Sequence, residues 1–159
     1  MIWNKEMECA DRETMRNVQL ERLQEVVKYE YEHVPYYAAK MDKAGVRPED
    51  IHTLEDIELL PFITKEDLAV NYPTGLFAAK MDDIVRIQSS SGTTGKPKIV
   101  GYTQRDMDDW AESVARGLTM CGMGKNDIAH ISYGYGLFTG GLGAHAGYSG
   151  RGPVSGESG

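Results

Sequence analysis

The 159-residue sequence predicts an α/β protein that opens with helices and then turns to strands. Three observations carry that expectation. From residue 11 to 33, Met15, Val18, Leu23, Val26 and Val27 recur at three- and four-residue steps with charges between them, the spacing of one helix face. Near residue 82 the character changes to β-formers: Ile84, Val85 and Ile87, then Ile99, Val100 and Tyr102. Between these two groups lies Ser89-Ser-Ser-Gly-Thr-Thr-Gly-Lys-Pro-Lys98, which reads as the loop of a strand–loop–strand unit.

Each further element has a local cause. Pro35 ends the first helix, because the residue before proline avoids helical backbone. A short helix over residues 36–44 follows, with Gly45 as its stop. Thr53-Leu-Glu-Asp56 and Thr64-Lys-Glu-Asp67 both set a hydroxyl three residues before a carboxylate, the capping-box pattern of a helix start. Leu60-Pro61-Phe62 is an extended link between them. Thr103 with Asp106 caps a helix whose apolar face is Trp110, Val114, Ala115, Leu118 and Met120 or Cys121, closed by Gly122. Ile128 to Tyr133 reads as a strand. Gly134 to Gly143 is too rich in glycine for a strand interior and reads as a loop leading into a helix. Residues 147–159 are poor in apolar groups and rich in Gly and Ser, the composition of a flexible tail. There is no internal repeat.

The bulk numbers exclude several classes. A chain of this size buries ~70% of the surface its unfolded form exposes, enough for one domain with a core. Against 24 Asp+Glu stand 17 Lys+Arg, a net charge of -7, which disfavours a nucleic-acid partner because phosphate backbones need a basic face. No apolar run approaches the ~20 residues of a membrane span. The first residues, MIWNKEMECADRE, lack the apolar core of a signal peptide. Cys9 and Cys121 do not make a disulfide framework, so a reducing, cytoplasmic setting is expected.

The loop is the chemistry-bearing segment. Gly92 and Gly95 let a ligand approach the main chain, and successive N–H groups in such a loop form an anion nest. The hydroxyls of Ser90, Ser91, Thr93 and Thr94 donate without charge, and Lys96 and Lys98 add positive charge for a polyphosphate. A Walker A loop needs four residues between its glycines and Ser or Thr after the lysine. Here two residues separate Gly92 from Gly95, and Pro97 follows Lys96, so an unrelated nucleotidase of the P-loop kind is the weakest alternative. Gly134-Tyr-Gly136 begins a dinucleotide fingerprint, but Thr139 stands at its third glycine. A plain solvated hairpin turn is the bland alternative for the Ser/Gly/Thr loop, and the ordered run Ser-Gly-Thr-Thr-Gly-Lys-Pro-Lys speaks against it.

That run, followed by Val-Gly-Tyr-Thr103, resembles the nucleotide loop of phenylacetate–CoA ligases, in the adenylate-forming superfamily. His33-Val-Pro-Tyr-Tyr37, Leu60-Pro-Phe-Ile-Thr-Lys-Glu-Asp-Leu68 and Tyr133-Gly-Tyr-Gly-Leu-Phe-Thr-Gly-Gly-Leu-Gly-Ala-His145 resemble three further stretches of that family, in the same order. The resemblance covers Met1 to His145. It implies the N-terminal part of the large domain of an adenylate-forming enzyme, residues 1–145, with residues 146–159 a disordered tail foreign to the family.

The resemblance also implies an AMP-forming aryl-acid ligase of phenylacetate catabolism. The acid attacks the α-phosphate of Mg2+-bound ATP, pyrophosphate leaves, and the thiol of coenzyme A displaces AMP. By resemblance Ser90, Ser91, Gly92, Thr93, Thr94, Gly95 and Lys96 hold the β- and γ-phosphates. Lys98 departs from the nearest relatives, many of which have threonine there. Tyr133, Tyr135 and Phe138 offer faces to the aryl ring, and Gly140 and Gly141 leave room for it. The alternative for these aromatics is plain core packing.

The family would continue for several hundred residues and carry its adenine motif, ribose aspartate, hinge and catalytic lysine there. The chain alone is therefore expected to lack ligase activity and to bind ATP in the millimolar range, about 4 kcal/mol. A non-catalytic truncated product, or a subunit completed by another chain, is the alternative. The family tends to form homodimers. Other residues have bland readings: His33 and His52 at the surface, Cys121 packed at a helix end, Glu49-Asp50 and Asp82-Asp83 solvated. His145 has no neighbours at metal-ligand spacing, and no metal site is expected of this chain.

Overall fold

A computed structural model describes residues 1–90, 97–124, 126–132, 139–148 and 154–156. The chain divides into two compact units, Cys9–Lys80 and Met81–Gly159 with Met1–Glu8.

The first unit is helical. After a single turn, α1 (Lys5–Glu8, which belongs to the other unit), α2 runs over Arg12–His33. Its N-cap Asp11 accepts from the Thr14 N–H at 2.7 Å, which holds the Asp11 carboxyl below its ordinary pKa. Val34, extended before Pro35, ends α2, and Pro35 opens α3 (Pro35–Ala44) at the position where a missing N–H costs nothing. Gly45 at φ 71° closes α3, its N–H and that of Val46 returning to the last turn, a left-handed cap that a Cβ would strain. Val27, Met41, Val46 and Ile51 form the buried cluster, with Leu23, Tyr31, Tyr37 and Leu60 packed against it. Gln24 donates to the Ile51 carbonyl at 2.7 Å, so the loop after α3 is satisfied from α2. Both expected capping boxes form. Asp56 accepts from the Thr53 N–H at 2.7 Å, but the residues behind it, Leu54–Leu59, make a 310 turn, tighter than the expected helix start, because Pro61 limits its length. Thr64 and Asp67 cap α4 (Lys65–Val70).

The second unit holds the strands. β1 (Ile84–Ser89) and β2 (Ile99–Thr103) pair antiparallel, Ser89 opposite Ile99, as the strand–loop–strand expectation requires. Thr103 caps α5 (Gln104–Met120), its N–H donating to Asp106 at 2.8 Å. The buried stripe of α5 is Met107, Ala115 and Thr119, with Trp110 and Val114 partly covered. Met120 is 80% exposed and Cys121 is exposed, against the expectation of packing at the helix end. Both lie past Thr119, rotated about 100° per residue off the stripe. β3 is Ala129–Ile131, shorter than expected. α6 (Thr139–Tyr148) runs three residues beyond His145, where the family pattern was expected to stop. Tyr148 is fully buried and donates to the Asp127 carbonyl. β4 (Val154–Gly156) pairs parallel with β3.

Candidate functional site

The hairpin β1–β2 holds the two ends of the loop expected to bind phosphate. Beyond the last strand pair, the Ser90 N–H donates to the Lys98 carbonyl at 3.0 Å, and the Lys98 N–H donates to Ser90 Oγ at 3.0 Å. The two ends of the loop are thereby clamped together. Because Ser90 Oγ accepts one backbone N–H, the hydroxyl is oriented and keeps its own proton to donate. Ser90 is exposed and Lys98 half-buried. Ser91, Gly92, Thr93, Thr94, Gly95 and Lys96 lie outside the described residues, as do Tyr133, Tyr135 and Phe138.

Gly140 and Gly141 stand in the first turn of α6. That helix is seated on α5 by later glycines. A Cβ on Gly143 would lie 2.5 Å from Trp110 Cζ2, and one on Gly147 would lie 2.3 Å from Val114 Cβ. Only a residue without a side chain fits at that separation. Trp110 in turn packs against Tyr102 of β2, ring centroids 5.4 Å apart. One continuous path of packing therefore joins β2, the strand after the expected phosphate loop, to the helix that carries the expected acid-pocket glycines. At the N-terminal end of the chain, Glu112 of α5 accepts from Trp3 Nε1 at 2.5 Å and Asn4 Nδ2 at 2.9 Å, and from Arg116 at 3.0 Å. These bonds, Asn4 foremost, lower its carboxyl pKa.

Sequence reading missed a polar hub in the helical unit. Asp67 is more than a capping residue. It accepts from the Tyr36 hydroxyl at 2.5 Å, Lys40 Nζ at 2.6 Å and the Thr64 N–H at 2.7 Å. Lys40 first, then Tyr36, hold its carboxyl far below the ordinary range, and Asp67 in turn raises the Tyr36 hydroxyl. Only the Thr64–Asp67 spacing was visible locally; Tyr36 and Lys40 are distant in sequence. The same unit holds a cavity of about 280 Å3 whose lining includes Val26, Val27, Val34, Leu60, Ile63 and Glu30. Burial raises the Glu30 carboxyl, with His33 opposing. An apolar cavity with a carboxylate suits no phosphate.

Among the described residues, no group of three or more His, Cys, Asp or Glu is placed to hold a metal ion, and no helix is long and apolar enough to cross a membrane.

No family model matches the chain. Curated relatives do. It is 50% identical over 150 residues to the phenylacetate-coenzyme A ligase of Escherichia coli (strain K12), a match covering 92% of this chain and 34% of the relative. The phenylacetate-coenzyme A ligase of Pseudomonas putida is 50% identical over 141 residues, covering 89% and 32%. Over nearly all of its length the chain is similar to phenylacetate–CoA ligases. It spans about a third of the length of the curated relatives it matches. The Thermus thermophilus phenylacetate-coenzyme A ligase, 48% identical, is matched over 98% of this chain.

Solved structures place this chain in the adenylate-forming fold. A 2-hydroxyisobutyryl-CoA ligase in complex with 2-HIB-AMP and CoA, in the thioesterification state, superposes with TM-score 0.82 at 30% identity, over 91% of this chain and 32% of that one. The same enzyme in the postadenylation state with R3-HIB-AMP gives TM-score 0.81 at 27% identity, over 93% and 32%. These neighbours are ligases that bind an acyl-adenylate and CoA.

Proposed function

We propose that the protein to which this chain contributes is an AMP-forming aryl-acid CoA ligase acting on phenylacetate, and that the chain supplies its phosphate loop and part of its acid pocket. The observation that carries this reading is the roughly 50% identity to phenylacetate-coenzyme A ligases across nearly the whole chain. The clamp between Ser90 and Lys98 supports it, since it holds together the two ends of the loop expected to meet a polyphosphate.

In this proposal the loop Ser90–Lys96 cradles the β- and γ-phosphates of ATP. Backbone N–H groups, hydroxyls and Lys96 stabilise charge growing on the departing pyrophosphate. Tyr133, Tyr135 and Phe138 face the aryl ring, and Gly140 and Gly141 open space beside it. Mg2+ accompanies the triphosphate and neutralises part of its charge. The carboxylate of the acid attacks the α-phosphorus, the bond to pyrophosphate breaks, and CoA sulfur then displaces AMP to give the thioester. The 159 residues alone lack ligase activity and bind ATP in the millimolar range, about 4 kcal/mol.

The test is to replace the matched region of the Escherichia coli ligase with this chain and follow phenylacetate-dependent exchange of pyrophosphate into ATP. Exchange that requires phenylacetate, and falls on Lys96→Ala, is the expected result. Release of inorganic phosphate without acid would overturn the reading.

A further inference from the structure

Helix α6 rests on α5 at two glycines. Gly143 is buried against one edge of the Trp110 indole, where an added Cβ would lie 2.5 Å from Cζ2, 2.7 Å from Cε2 and 2.8 Å from Nε1. Gly147 is buried against Val114, 2.3 Å from Cβ by the same measure. Being four residues apart, the two glycines lie one above the other on a single helix face, about 6 Å along the axis. Gly141 stands two residues before Gly143, about 200° round the helix, and so on the face turned away from Trp110. The indole has a second neighbour in the Tyr102 ring of β2, which limits where it can move. The bulk of Trp110 thus sets how closely the N-terminal half of α6 approaches α5, and Val114 sets the C-terminal half.

We propose that Trp110 is a positioning residue for acid specificity: its indole sets how far Gly141 stands from the ring of the bound acid. The inference rests on the reading above that Gly140 and Gly141 open space beside that ring. Its physical basis is a lever. With α6 seated at Gly147, Gly141 lies beyond Gly143 on the free arm. A smaller side chain in place of Trp110 lets the first turn of α6 settle toward α5, since surroundings close part of a vacated volume. Gly141, on the opposite face, then withdraws and leaves room for a larger ring. A methyl added at Gly143 works the other way. It meets the indole, pushes the same turn off α5 and drives Gly141 into the space the ring needs. Trp110 itself acts only through α6.

The experiment uses the Escherichia coli ligase carrying this chain in place of its matched region. Phenylacetate and the isomers bearing one added methyl on the ring are offered to the parent, to Trp110→Leu and to Gly143→Ala, and acid-dependent exchange of pyrophosphate into ATP is followed. With Trp110→Leu, the preference for at least one methylated acid over phenylacetate is expected to rise about tenfold, the scale on which a pocket senses one carbon. With Gly143→Ala, the KM for phenylacetate is expected to rise about tenfold. The KM for ATP stays at the parent value in both. A purely structural role would lower the melting temperature of both variants and leave the relative rates on these acids unchanged, which overturns the proposal. A KM for ATP that rises as much as that for the acid also overturns it. Trp110→Phe, intermediate in size, is expected to shift the preference in the same sense by less, and decides the matter where Trp110→Leu does not fold. Absence of acid-dependent exchange in the parent counts against the proposed function and removes this inference with it. Exchange in the parent with unaltered preference in the variants counts against this inference alone.

Discussion

The two units of the chain differ in how they satisfy themselves. In Cys9–Lys80 the buried polar group, Asp67, has a partner for both carboxylate oxygens, and the apolar cluster around Met41 is built from α2, α3 and the turns that follow. In Met81–Gly159 the fully buried polar group, Gln88, has none among the described residues, and close packing depends on glycines facing Trp110 and Val114. The helical unit closes its hydrogen bonds by local contacts and a few mid-range ones. The strand unit, which carries the expected chemistry, encloses a carboxamide and a guanidinium nitrogen that find no partner among the described residues. A binding site assembled from several elements has this property: its walls are shared, so no single stretch is complete.

The comparison can be broken or sharpened by substitution. The largest effect is expected from Met41→Ala. Met41 is 0% exposed, and emptying its site costs about 3 kcal/mol, read by urea titration of the chain. A cost under about 1 kcal/mol would mean that the helical core collapses easily. Gly147→Ala comes next, about 2 kcal/mol destabilising, because the new methyl would sit 2.3 Å from Val114 and drive α5 from α6. Neutrality there would show that the glycine seat is not tight.

Asp67→Asn probes the satisfied hub through pH. The folded-state pKa of Asp67 is depressed, so its contribution is fully present above the unfolded value, about 3.9, and is lost as pH falls below it. The variant is expected to melt about 5 °C lower at pH 7 and to approach the parent at pH 2 to 3. A constant gap across that range would assign the hub to packing instead. The smallest effect is Gly117→Ala in α5, where nothing lies within 4 Å of the new methyl; it is expected to stabilise by about 0.7 kcal/mol through helix propensity alone.

Sequence alone reached far where structure is local. The Thr64 and Thr103 capping boxes, the Gly45 stop, the Pro35 break and the β1–loop–β2 hairpin all rest on residues within a few positions of each other, and all form. The motif residues Ser90 and Lys98 were legible as loop ends, though not the pair of hydrogen bonds that clamps them. Features that join distant residues were not legible. Nothing in Tyr36 or Lys40 announces Asp67, and Gln88 looks like an ordinary strand residue until its burial is known. The glycine seat of α6 was read as loop character, because spacing does not reveal that Trp110 and Val114 stand opposite. The Met120 and Cys121 expectation failed for a related reason: a stripe followed to the last residue ignores where the helix rotates away.

Native-state hydrogen exchange, compared between the 159-residue chain and the full-length protein carrying it, tests the contrast most directly. The account predicts equal protection of α2 and α3 amides in both, and protection of β1, β2 and α5 that rises at least tenfold in the full-length protein, about 1.4 kcal/mol. Equal protection of the strand unit in both proteins would contradict it.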